Sequence, residues 1–391
     1  MSGNLESALE AFVVCLLQRP DWQAMLGKEI EEKRFVSQAV DLAAIEQIAL
    51  QPEAMMAAFR QKRWPRISLT WPPQGWLPAS VGADPETTEP QIDWLWIDQA
   101  AINAPFYEDV LNNFRSRPIN RLVQMRTSLA TLLNGAGRQE DISPTGLIYH
   151  MSRCGSTLVG RMLASQTDTI VLSEPSPLDA MINLAQRPDV DADAAIRMVR
   201  AIVAALGRWT APSTRFLIKL DAWHTMSMPL LRAAFPAAPW VFLFREPLEV
   251  IVSHLKQPGR HTVQGLQEAE RLLTVDDAQQ SREIQIGKAI SAIGGAALEH
   301  WPLGAGIAVN YTSLGNGGAD RIMKHLGING DGSAREKAAI VAKMDAKFPD
   351  RAFVSDSFDK VSIATDAAHE AAQGQLAHNH RQLLRLAGFD C

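Results

Sequence analysis

In the run His150-Met-Ser-Arg-Cys-Gly-Ser-Thr157 an arginine, a glycine and two adjacent hydroxyls stand together, and apolar residues resume at helical spacing after it. A glycine-containing turn that feeds a helix presents unpaired backbone N–H groups at the positive end of the helix dipole. Gly155, Ser156 and Thr157 therefore form a place for phosphate or sulfate oxygens, with the two hydroxyls as further donors. Ordinary helix capping uses the same residue types. Arg153 adds a cation from inside the turn. The run is not a Walker A loop, which needs a glycine at His150 and a lysine at Ser156. A magnesium-dependent nucleotidase also needs an aspartate after a strand. The apolar run Trp240 to Phe244 ends in Arg245 instead, leaving Asp221 as an imperfect candidate. The expected site is built from fixed cations and holds no metal.

Such a site requires strands that deliver these residues to one edge. Gly146 to His150, Ile170 to Leu172, Arg215 to Leu220, Trp240 to Phe244 and Ile307 to Tyr311 read as strands, with helical periodicity between them, as in Leu248, Ile251, Val252 and Leu255. Strands alternating with helices predict an α/β fold, a P-loop-type parallel sheet flanked by helices. Ligands of such sheets collect at the carboxyl ends of the strands. Upstream, Asn4 caps a stripe of Leu5, Ala8, Leu9, Phe12 and Leu16 that stops at Pro20. More helical pattern runs over 41–51 and 52–60. From Trp64 to Trp96, prolines at 65, 72, 73 and 78 break helices and predict an irregular segment, and six of the ten tryptophans lie in or before it. The division expected is 1–140, a mainly helical, Trp-rich extension, and 141–391, the α/β domain.

Ser152-Arg-Cys-Gly-Ser-Thr-Leu158 resembles the 5'-phosphosulfate loop of sulfotransferases that use 3'-phosphoadenosine 5'-phosphosulfate (PAPS). Phe242-Leu-Phe-Arg-Glu-Pro-Leu-Glu-Val-Ile-Val-Ser253 is similar to their 3'-phosphate motif, an arginine at a strand end with a serine eight residues later. Ser253 returns to the side of Arg245 if the helix starts near Pro247. Two further positions resemble the protein-tyrosine sulfotransferase branch. Glu174 follows Arg153 by 21 residues, the spacing of that branch's catalytic glutamate, and Lys219 stands where the branch has its transition-state lysine. The Lys-Leu-Asp here matches the branch's Lys-Asp-Pro only in part. Ala308-Val-Asn-Tyr-Thr-Ser-Leu314 resembles a Tyr-Glu-Asp-Leu segment found late in many members, and the Arg-Lys-Gly loop of cytosolic members is absent. The resemblance spans roughly residues 146–327.

It implies a transferase that moves a sulfuryl group from PAPS to an acceptor hydroxyl or amine, releasing 3'-phosphoadenosine 5'-phosphate (PAP). Arg153, Cys154, Gly155, Ser156 and Thr157 would hold the 5'-phosphosulfate, and Arg245 and Ser253 the 3'-phosphate. Lys219 would act on the bridging oxygen and Glu174 as general base. Asp221 and His224 are rival bases. His254 and His261 are candidates to line the acceptor cleft, and His378 and His380, two apart on one helix, make a poor metal pair. A nucleotide-dependent kinase and a non-catalytic scaffold of the same fold are the competing readings.

Composition narrows the partners. Across 391 residues the formal net charge is -5, which gives no overall positive field for nucleic acid. Three cysteines, Cys15, Cys154 and Cys391, without CxxC spacing argue against a disulfide framework and against a zinc site, and a reducing cytoplasm fits. The apolar run Ala11 to Leu17 is too short to span a bilayer and follows Glu6 and Glu10, so no targeting segment or membrane span is expected.

Overall fold

The computed structural model describes residues 142–208, 214–328, 332–342 and 362–389, and upstream of these 66–67, 71–72, 75–84, 87–97, 102, 104–115, 120 and 124–136. The helices expected over 4–20, 41–51 and 52–60 lie outside the described residues. The strands are β1 (Arg66–Ile67), β2 (Trp76–Ala83), β3 (Pro90–Trp96), β4 (Gln124–Ser128), β5 (Gly146–His150), β6 (Thr169–Ser173), β7 (Arg215–Lys219), β8 (Trp240–Phe244) and β9 (Gly306–Asn310). The principal helices are α1 (Tyr107–Arg115), α2 (Leu129–Ala136), α3 (Ser156–Ala164), α4 (Ser176–Ala185), α5 (Ala192–Leu206), α6 (Met228–Ala234), α7 (Pro247–Lys256), α8 (Arg282–Glu299), α9 (Ala319–His325), α10 (Gly332–Ala342), α11 (Asp366–Ala371) and α12 (Gly374–Ala387). Two compact units result, one of Met1–Ile142 with Ser176–Trp209 and one of Ser143–Pro175 with Thr210–Cys391. The helices α4 and α5 thus belong to the first unit, although in sequence they interrupt the second.

In the first unit the sheet order is β1-β4-β3-β2, antiparallel except for the β1–β4 pair. The irregular segment expected between Trp64 and Trp96 is corrected here, since β2 and β3 lie within it. Its prolines mislead for an identifiable reason. Pro78 sits where the β2–β3 register shifts, and Pro90 is the first residue of β3, two places where a strand tolerates a missing N–H. Three tryptophans of this segment lie in the core of the unit. Trp76, Trp94 and Trp96 are buried, Trp94 donates from Nε1 to Thr127 Oγ1 at 2.9 Å, and Trp71 meets Trp94 edge-on at 5.7 Å. Arg208, just after α5, stacks over Trp71 and Trp94 at 5.2 and 5.8 Å and donates to the carbonyls of Trp76 and Pro72. Burial lowers its pKa to about 10, so the aromatic faces and the two carbonyls stand in for water around the cation.

In the second unit all five strands are parallel in the order β6-β7-β5-β8-β9. Each expected strand is present with its ends within one residue of the sequence reading. Every residue of β5 and β8 is buried, in keeping with their place inside the sheet, and β8 accordingly reads as an unbroken apolar run. The Ala/Gly-rich stretch 290–297 lies in α8, and α8 packs against α11 and α12. A Cβ on Gly287 would come within 2.8 Å of the Ala371 carbonyl oxygen, so the small residue sets that approach. Among the described residues no helix is long and apolar enough to cross a membrane.

Candidate active site

Parallel strands end on one edge of a sheet, and in the second unit each ends in a residue able to bind or move a charge. Following the sheet order, β6 leads into Glu174, β7 ends in Lys219, β5 ends in His150, β8 leads into Arg245 and β9 into Tyr311. Neighbouring strands are about 4.8 Å apart. The loop after β5 therefore has Lys219 on the strand to one side and Arg245 on the strand to the other.

That loop turns sharply. Ser152, Arg153 and Gly155 have φ of 71°, 50° and 83°, and Glu174 at the end of β6 has 53°. Three of the six positive-φ non-glycine residues in the described chain are thus Ser152, Arg153 and Glu174. Backbone strain of this kind concentrates where a site requires it. Gly155 is the N-cap of α3 and, having no side chain, supplies no cap to the first-turn N–H groups. A Cβ on Gly155 would meet the Tyr311 ring at 2.7 Å, which with the positive φ explains the glycine. Ser156 is buried and Thr157 half-buried at the helix start. Cys154 turns inward. Its thiol is buried, donates to the Leu243 carbonyl at 3.2 Å and is pushed up to about 12 by burial, so only the backbone of this residue faces a ligand. The Arg153 guanidinium donates to the side-chain oxygen of Gln257 at 3.1 Å and to its backbone carbonyl, and burial lowers its pKa.

The β6–β7 register sets Ser173 opposite Lys219, and the Glu174 N–H donates to the Lys219 carbonyl at 2.7 Å. The two side chains meet at the same place, where Lys219 Nζ, on a fully buried side chain, donates to Glu174 Oε1. His150 Nε2 lies 3.5 Å from that oxygen. Burial opposes ionisation of Glu174, but the Lys219 ammonium and the His150 ring outweigh it and hold the carboxyl well below the usual range. His150 moves the other way, since burial lowers its pKa and so favours the neutral ring. Sequence reading gave His150 no role. Its one sequence signal is a titratable residue closing an otherwise apolar strand.

Arg245 is buried at the start of the turn after β8. Its Nε donates to Glu249 Oε2 at 2.9 Å, its Nη2 reaches the same oxygen, and its guanidinium carbon stands 4.1 Å above the Tyr311 ring. Glu249 and Tyr311 are partners that sequence reading did not name for it. The helix α7 starts at Pro247, the start that the Arg245–Ser253 spacing requires. Half-buried Ser253 lies four residues beyond Glu249 on the same helix face. The Tyr311 ring is therefore common to Gly155 and Arg245.

The rival bases are otherwise engaged. Asp221 caps the short 3₁₀ helix Ala222–Ser227 by accepting from the His224 N–H, and His224 accepts the Asp221 N–H in return, a reciprocal capping box. His254 and His261 are buried with rings 5.2 Å apart, and Trp223 lies 5.7 Å from His261. His261 is pushed down to about 3, chiefly by burial, with the fields of His150, Glu174 and Arg153 also acting on it. His380 is on α12 against Phe244, on a different helix face from exposed His378, which bonds Gln382 instead.

No protein-family model matches the chain, and no curated protein matches it. Among solved structures it is similar to the sulfotransferase domain from the curacin biosynthetic pathway, at 12% identity and a TM-score of 0.39 over 64% of this chain and 99% of that one. It is also similar to a sulfotransferase from Alicyclobacillus acidocaldarius, at 13% identity and 0.40 over 64% and 97%. A third is sulfotransferase STF9 from Mycobacterium avium, at 10% identity and 0.41 over 73% and 86%.

Proposed function

We propose that the chain is a PAPS-dependent sulfotransferase that transfers a sulfuryl group in line to an acceptor hydroxyl or amine, with Glu174 as general base. The observation that carries this reading is the Lys219–Glu174 pair beside a strained, glycine-capped anion loop, with Arg245 on the strand at the other side of that loop.

In sulfuryl transfer the bond from sulfur to the bridging phosphate oxygen breaks while the bond to the acceptor forms. Charge builds on the bridging oxygen, and positioned cations and N–H donors stabilise it. Arg153 and the N–H groups of Cys154 to Thr157 hold the 5'-phosphosulfate. Lys219 has three donor hydrogens, so it serves the bridging oxygen while one hydrogen stays on Glu174. Glu174, kept ionised by Lys219, takes the acceptor's proton. Arg245, braced by Glu249, and Ser253 on the same helix take the 3'-phosphate. Asp221 and His224 hold each other in a cap, which favours Glu174 over both as base.

Thermal-shift measurements with PAP and with Mg-ATP test the reading. Stabilisation by PAP at concentrations far above its Kd is expected. Stabilisation by Mg-ATP alone would replace this reading with a kinase, and stabilisation by neither would leave a scaffold of the same fold.

A further inference from the structure

We infer that His150 is a positioning residue that ties the anion loop to the carboxylate of Glu174, with one imidazole nitrogen serving each. The inference rests on the sulfotransferase reading for what the carboxylate does, but its geometry stands apart from it.

His150 closes β5 and is 4% exposed. Its Nδ1 accepts the Ser152 N–H at 3.0 Å. In a neutral ring the proton must then sit on Nε2. Nε2 lies 3.5 Å from Glu174 Oε1, the oxygen that also receives Lys219, and is buried with no closer hydrogen-bond partner. A buried N–H is costly without an acceptor, so this proton has reason to point at the carboxylate. The groups facing the ring are Glu174 after β6, Lys219 and the Leu220 carbonyl at the end of β7, and His261 after α7.

The same ring accounts for part of the loop. Ser152 is held at φ 71°, a conformation that costs a serine energy, and its N–H bond to Nδ1 compensates. A second proton on the ring would set an N–H against an N–H and break that bond. Loop geometry and carboxylate alignment therefore share one neutral imidazole, and a ligand that orders the loop also orders the base.

Two variants separate the nitrogens. His150→Asn places an amide oxygen near the Nδ1 position, keeping the Ser152 contact and losing Glu174. His150→Gln reaches the Nε2 position and loses Ser152. PAP affinity by calorimetry and hydrolysis of PAPS to PAP, with water as acceptor, are the readouts. His150→Asn should bind PAP within about threefold of wild type and hydrolyse saturating PAPS at least tenfold more slowly. His150→Gln should lose about tenfold in PAP affinity and keep most of the rate at saturation. Parallel changes in both readouts, or none, would show a ring that only packs. Should a variant fail to fold, ¹⁵N-imidazole spectra of the wild type decide the matter, with an Nε2–H tautomer expected and an Nδ1–H tautomer overturning the assignment. Failure of the wild type to bind PAP would remove the sulfotransferase reading and leave the tautomer result standing.

Discussion

Lys219 and Glu174 end neighbouring strands and meet at a single oxygen, Oε1, so the expected transition-state cation and the expected base are one ion pair. Lys219 is fully buried, so the carboxylate is its compensation for lost water. Removing the negative charge while keeping the shape probes both roles. Glu174→Gln should hold PAP within a few fold and lower single-turnover sulfation by roughly 10²- to 10⁴-fold, the range of a positioned base. Asp221→Asn and His224→Asn should instead cost about 1 kcal/mol of stability, the size of a lost cap, with turnover within a few fold. Collapse of turnover in Asp221→Asn with near-normal Glu174→Gln would move the base to β7.

Arg245 carries the next prediction, in a form its buried partner dictates. Truncating it alone strands the Glu249 carboxylate, which is also buried, and such a break costs about 3 to 5 kcal/mol of stability. The informative protein is therefore the Arg245→Ala, Glu249→Gln double variant, with Glu249→Gln as its control. The double variant should lose about 1.5 to 3 kcal/mol in binding PAP. Its affinity for adenosine 5'-phosphosulfate, which lacks the 3'-phosphate, should change little. Equal losses for the two ligands would take the 3'-phosphate away from Arg245.

Gly155 and Gly265 share a left-handed backbone, φ 83° and 82°, but differ in what surrounds them. A Cβ on Gly155 meets Tyr311, while nothing lies within 4 Å of one on Gly265. Both alanine variants should lose about 1 kcal/mol of stability from φ alone. Gly155→Ala should in addition weaken PAP binding at least tenfold by pushing Tyr311 off the loop and Arg245. Unchanged PAP affinity in Gly155→Ala would mean that the loop does not form the ligand's cradle.

What was legible in the sequence follows the range of each signal. The five parallel strands are short, buried and apolar, and the loop Ser152 to Thr157 is contiguous, so both are local patterns. His150, Glu249 and Tyr311 become partners of Glu174 and Arg245 only when the strand order is known, and no spacing announces that. Pro78 reads as a breaker because the register shift that accommodates it in β2 is a tertiary fact. The grouping of α4 and α5 with the first unit is likewise invisible in a chain where they follow β6.

The last prediction concerns pH, where buried histidines set the sign. His261 is 3% exposed with a folded pKa of about 3, against about 6.5 in an unfolded chain. Above pH 6.5 neither state holds the extra proton and His261 contributes nothing to the slope. As pH falls from 6.5 toward 3 the unfolded state binds a proton that the folded state refuses, so stability drops by up to about 1.4 kcal/mol per pH unit. His380, lowered to about 4, and His150, also lowered by burial, add the same sign. Glu174 is depressed too, but its contribution is lost only below its unfolded pKa of about 4.3. Between pH 6.5 and 4.5 the slope from these groups therefore belongs to the histidines. Urea unfolding at pH 7 and pH 5 for wild type and His261→Phe measures the His261 share, since phenylalanine keeps the ring beside Trp223 and His254 but cannot titrate. Wild type should lose about 2 kcal/mol more than the variant between those pH values. Parallel profiles would mean that His261 takes up its proton in the folded protein and is open to the water of the site.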